Sequence, residues 1–142
     1  MVDRDVVFQR LAALRLNARR LEGSLAEGRD RFLADENVQL IAERCLQLAI
    51  QAILDIGTHI IADQGLNRPA GYEDIVPELG RAGILPAVLV ERLSGIAGLR
   101  NILVHDYLAV DHGRLFDDLT TGLGDLEEFA RAIETFVSSR DY

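Results

Sequence analysis

Apolar residues recur every three or four positions through most of the chain, the period of a helix that buries one stripe. A first helix is marked by Val7, Leu11, Leu14, Ala18, Leu21 and Leu25, with Arg4, Gln9, Arg15, Arg19 and Glu22 on its other faces. Gly28 ends it, and Asp30 or Asp35 is placed to cap the next helix. A second helix is predicted from about Glu36 to Asp63, with Gly65 just beyond. Its apolar stripe includes Ile41, Cys45, Leu48, Ala52, Ile56 and Ile60. At about 1.5 Å per residue it spans roughly 40 Å, more than one small core needs. Gly57 inside it weakens the helix slightly. Gln47, Gln51, Asp55 and His59 form a separate polar stripe, each four residues from the next.

Gly65 to Asp74 reads as a loop punctuated by Pro69 and Gly71. Shorter helical pieces come after it, from Tyr72 to Ala82 and from Pro86 to about His105. Pro86 suits a first turn. A last helix after Asp111 carries Phe116, Leu119, Leu123, Leu126, Ala130, Ile133 and Val137 at the same spacing. Gly122, Gly124, Asp125 and Glu128 suggest a kink and a restart within it. No strand-like alternation, internal repeat or low-complexity tract appears. The fold class expected is all-α, an antiparallel bundle of four or five helices forming one domain over residues 1–142.

Composition narrows the setting. With 49% hydrophobic residues the chain can bury a core without metals or disulfides, and its single cysteine, Cys45, has no partner in the chain. The start, Met1-Val2-Asp3-Arg4-Asp5, leads into an amphipathic segment and not an apolar signal core. No run approaches the roughly 18 uncharged apolar residues of a membrane span, so a cytoplasmic, soluble protein is expected. The net charge of −8 argues against binding that tracks nucleic-acid phosphates along a basic surface. It leaves room for a local site, and all 15 basic residues are arginine, which grips phosphate in a bidentate fashion.

The densest chemistry lies in Arg100-Asn101-Ile102-Leu103-Val104-His105-Asp106-Tyr107. On a continuous helix Asn101 and His105 share one face, and Arg100 and Tyr107 share another, some 140° from His105 at about 100° per residue. Either the helix unwinds near His105, or groups from two chains meet across a symmetry axis. A plainer alternative has His105 at a helix C-terminus, where an imidazolium suits the dipole, and Arg100 as a surface cation. The Gln47–His59 stripe is either a solvated face or a polar strip in a dimer interface, since Asp55 and His59 alone make a poor metal site. Cys45 fits the core, and His112 should face solvent. There is no phosphate-binding glycine loop, zinc spacing or nucleophile elbow, and no cofactor is implied.

The spacing of Arg100, His105 and Tyr107 resembles the R-x(4–6)-H-x-Y signature of HEPN domains of the HepT family. The flanks agree: Arg44 to Ala52, Asp55 to Ile61 and Gly98 to His105 all fit, and the likeness is clearest from Phe32 to Ile133. The resemblance implies a homodimer whose two motifs meet in a composite cleft that cleaves RNA without a metal. There the ribose 2′-OH attacks the adjacent phosphorus and leaves a 2′,3′-cyclic phosphate. His105 would exchange protons, Arg100 would hold the phosphate, and Asn101 would orient the imidazole or an RNA oxygen. The resemblance further implies a toxin–antitoxin pair. Its partner, an MntA-like minimal nucleotidyltransferase, would transfer AMP from ATP onto Tyr107 and silence the toxin. The alternative function is a non-catalytic HEPN module that binds a nucleotide or such a partner.

Overall fold

The computed structural model describes residues 3–140, apart from the side chain of Tyr107. Among the described residues there are seven α-helices and no strand: α1 (Arg4–Leu25), α2 (Arg29–Ala34), α3 (Glu36–Asp63), α4 (Ile75–Arg81), α5 (Ala87–Leu93), α6 (Ile96–His105) and α7 (His112–Ser138). Single 3₁₀ turns, Tyr72–Asp74 and Tyr107–Ala109, precede α4 and follow α6.

The long helices start where short acidic side chains cap them. Asp3 accepts from the backbone N–H of Asp5 and Val6, Asp35 from those of Asn37 and Val38, and Asp111 from that of Arg114. α3 is the central helix and is packed by α1, α4, α6 and α2. By length and composition it is apolar enough to cross a membrane, but Ala49, Ile53, Leu54, Ile56 and Ile60 are buried within the bundle, as in a core helix. Cys45 is buried there too, and desolvation pushes its thiol upward. Ile41, placed by periodicity in the core, is exposed with Leu40, because the N-terminal part of α3 is incompletely covered.

α1 is tied to α7 by Arg15, which donates from Nε and Nη2 to Glu127 at 3.0 Å each and also pairs with Glu134. The Arg15 guanidinium holds the Glu127 carboxyl below its ordinary value.

Three features are finer than the periodicity suggests. The segment after Gly28 forms α2, anchored by the fully buried Phe32, whose ring lies 5.4 Å from that of Phe116. The piece expected as one helix from Pro86 to His105 is two, because Gly95 takes a left-handed conformation at φ +89° and turns the chain. α7 runs without a restart: Asp125 pairs with Arg92 of α5 at 3.0 Å, and Glu128 binds the same guanidinium.

Gly57 has a use that its helix propensity does not reveal. A Cβ there would collide with Ile75 Cγ2 of α4 and lie 3.3 Å from Leu79 Cδ1. The missing side chain is what lets α4, and with it the preceding Tyr72 turn, lie close against α3. Gly57→Ala is therefore expected to destabilise the fold by about 1–3 kcal/mol despite alanine's better helix propensity. Urea unfolding would measure this, and a stabilised variant would show that α4 simply moves away.

Candidate functional site

Gln51 stands on the face of α3 towards α6, and its side chain links a cation to a carboxylate. Its Nε2 donates to Asp55 Oδ1 at 2.9 Å, and its Oε1 accepts from Arg100 Nε at 3.3 Å. Asp55 Oδ2 lies 3.8 Å from Arg10 Nε of α1. The polar stripe of α3 is thus not wholly solvated. Among the described residues no three His, Cys, Asp or Glu side chains are grouped to hold an ion. At the far end of the stripe, His59 Nε2 accepts the backbone N–H of Asp3, so that nitrogen carries no proton in this arrangement.

Arg100 has a distinctive environment. Besides Gln51, its Nη1 donates to Asn101 Oδ1 at 3.3 Å, and its guanidinium carbon lies 5.0 Å over the centre of the Tyr72 ring. All three partners are neutral. Arg15, Arg29, Arg81 and Arg92, by contrast, each face a carboxylate within 3.1 Å. The Arg100 guanidinium is oriented on two sides while its charge is left for an incoming anion.

α6 is continuous from Arg100 to His105 and ends there. Asp106 leaves the helical region at φ −139° ψ 41°, and the Tyr107–Ala109 turn comes next. Of the two alternatives, unwinding therefore comes just too late to bring His105 towards Arg100. Their directions remain about 140° apart on one helix. Asn101 and His105, four residues apart, do share the exposed face. Tyr107 does not share a helical face with Arg100, since its backbone belongs to the separate turn. Its side chain lies outside the described residues.

The chain from Arg100 onward runs towards the N-terminal end of α3, where His112 Nε2 sits 3.4 Å from Glu43 Oε2. His112 is partly covered by that contact instead of facing solvent freely. Exposed apolar side chains occur on these elements: Leu40 and Ile41 on α3, Ile102 on α6, and Leu108, 87% exposed, in the turn after His105.

Two residues of the site are not singled out by the sequence. Gln51 stands there only as one member of a stripe, and Tyr72 only as the start of a short helix. The available signal for Tyr72 is a large aromatic in a polar loop between Gly71 and Asp74, where no core position calls for one.

The family model described as "Ribonuclease HepT-like" matches residues 14–133. The chain is 32% identical over 108 residues to a tRNA nuclease HepT of Aphanizomenon flos-aquae, covering 76% of this chain and 74% of that protein. It is 26% identical over 133 residues to an mRNA nuclease HepT of Shewanella oneidensis, covering 92% and 97%. Among solved structures, the tri-AMPylated Shewanella oneidensis HEPN toxin in complex with MNT antitoxin superposes with a TM-score of 0.86 at 26% identity, covering 94% of this chain and 99% of that one. YutE of Bacillus subtilis, described as a cytosolic protein of unknown function, has the same fold at a TM-score of 0.85 and 22% identity, covering 97% of this chain and 92% of that one.

Proposed function

This chain belongs to the HepT-like ribonuclease family, and from that membership and the geometry of α6 we propose that it is the endoribonuclease toxin of a toxin–antitoxin pair, acting in the cytoplasm. The observation that carries the reading is Arg100: a guanidinium oriented by Gln51 and Tyr72, with no carboxylate paired to it among the described residues, on the helix that ends in the exposed His105. Arg100 binds the scissile phosphate and neutralises charge that builds on it. His105 takes the proton of the ribose 2′-OH as that oxygen attacks phosphorus. The second His105, from the other protomer, protonates the departing 5′ oxygen, and the product keeps a 2′,3′-cyclic phosphate. Asn101, one turn before His105 and bonded to Arg100, couples the two in position.

The angle between Arg100 and His105 is what a second copy of the chain resolves. A twofold axis near the exposed Leu40, Ile41, Ile102 and Leu108 would cover their apolar surface and bring two α6 termini together. The partner that neutralises the toxin is an MntA-like minimal nucleotidyltransferase, in line with the antitoxin-bound relative.

Two measurements test this reading. Light scattering coupled to gel filtration is expected to give a homodimer, and a monomer at micromolar concentration would overturn the composite site. The purified protein is expected to cut single-stranded RNA in the presence of EDTA and to leave cyclic-phosphate ends. A requirement for a divalent ion would overturn the mechanism.

A further inference from the structure

The face of the Tyr72 ring beside Arg100 is only part of its surroundings, for the same residue also lines a groove between α1 and α3. The groove has a volume of about 460 Å³, within the range of about 300–1,000 Å³ common for small-ligand sites. Val6 and Ile56 give it an apolar lining, and Arg10, Asp55, Thr58 and His59 give it polar edges. Tyr72 itself is exposed, held in the 3₁₀ turn that α4 presses towards α3.

We propose that this groove is a nucleobase subsite, in which Tyr72 stacks the base of a nucleotide next to the phosphate held by Arg100. The inference rests on the ribonuclease reading and gives its substrate a second point of attachment. Single-stranded RNA is recognised by splaying bases onto aromatic rings and guanidinium planes, and here the two are already stacked together. Arg10 and Asp55, 3.8 Å apart at the groove edge, supply a donor and an acceptor, and the Thr58 hydroxyl can serve as either. The net charge of −8 adds a physical reason. A surface this acidic gains little from tracking successive phosphates, so grip on RNA falls to one oriented cation and to stacking, which does not depend on the surface potential.

The test separates stacking from mere support of Arg100. In a His105→Ala background, which cannot turn the probe over, fluorescence anisotropy would measure binding of a short single-stranded RNA. The same strand would be measured with one base at a time removed to leave an abasic ribose. With Tyr72 present, one abasic position is expected to weaken binding about five- to hundredfold. In Tyr72→Leu that penalty should vanish, and in Tyr72→Phe it should persist. Ala62→Leu, which crowds the groove while Tyr72 itself is kept, should weaken the intact strand and spare the abasic one. If Tyr72→Leu weakens intact and abasic strands equally, the ring serves only Arg100 and the subsite is overturned. Should the unsubstituted protein cleave RNA while no abasic position weakens binding, the subsite falls and the ribonuclease reading stands. If the unsubstituted protein does not cleave and the His105→Ala protein does not bind, the ribonuclease reading falls and takes the subsite with it.

Discussion

His105→Ala is expected to lower RNA cleavage by about 10²–10⁴-fold, the usual share of a general acid–base group, while the protein stays folded. In the proposed homodimer two copies of the site histidine would be lost at once, so the upper end of that range is the better expectation. Stability should change little. His105 is exposed at the last position of α6, and its favourable interaction with the helix dipole is worth at most about 1 kcal/mol. Arg100→Ala should cost as much activity but somewhat more stability, because it also gives up the bond to Gln51 and the stack on Tyr72. Arg100→Lys keeps the charge and loses the planar fork, so it should bind RNA but cleave it poorly. Cleavage time courses on a defined RNA, with thermal unfolding run alongside, would measure both quantities. Full activity in folded His105→Ala would remove this residue from the mechanism. In cells the same variants should permit normal growth when expressed without the antitoxin.

Much of the scaffold is legible in the chain alone, for a definite reason. α1, α3 and α7 each repeat their apolar stripe over several turns and begin at an aspartate, so period and cap agree. α2 is not legible, because six residues are too few to show a period, and Phe32 anchors it by a contact with the distant Phe116. The break at Gly95 is hidden by the apolar residues that continue on both sides of it, although Ser94-Gly95 is an ordinary turn signal. Gly57 misleads in kind: its intrinsic helix cost is local, but the approach of Ile75 that makes it useful is a tertiary fact.

The candidate site divides the same way. Arg100, Asn101, His105 and Tyr107 are neighbours in the chain and legible as a motif. The groups that orient Arg100 come from elsewhere, from Gln51, 49 residues upstream, and from Tyr72 in a loop. No local pattern encodes that meeting. The splay of Arg100 from His105 is set by helix geometry alone, and the continuity of α6 through His105 preserves it.

Tyr107→Phe is expected to leave a toxin that its partner nucleotidyltransferase cannot silence by modification. In the proposed modification the Tyr107 phenolic oxygen would attack the α-phosphorus of ATP, pyrophosphate would leave, and the phenolic proton would pass to a base of the partner. Phenylalanine has no oxygen with which to form that bond. The chain leaves α6 after His105, and the short Tyr107–Ala109 turn carries the almost fully exposed Leu108. The alternative, a ring packed into the dimer interface with its hydroxyl out of reach, predicts no adduct at all. An AMP attached here brings a phosphodiester anion to the end of the helix that carries Arg100, whose present partners are all neutral. That guanidinium would hold the attached phosphate in the way proposed for the RNA phosphate, and the adenosine would take up room the substrate needs. Intact-mass and peptide mass spectrometry after co-expression with the partner should find AMP on Tyr107 in the unsubstituted protein and none in Tyr107→Phe. Growth should be rescued by the partner only in the first case. An adduct on another residue, or rescue of Tyr107→Phe equal to that of the unsubstituted protein, would show that silencing runs through a different group or through binding alone.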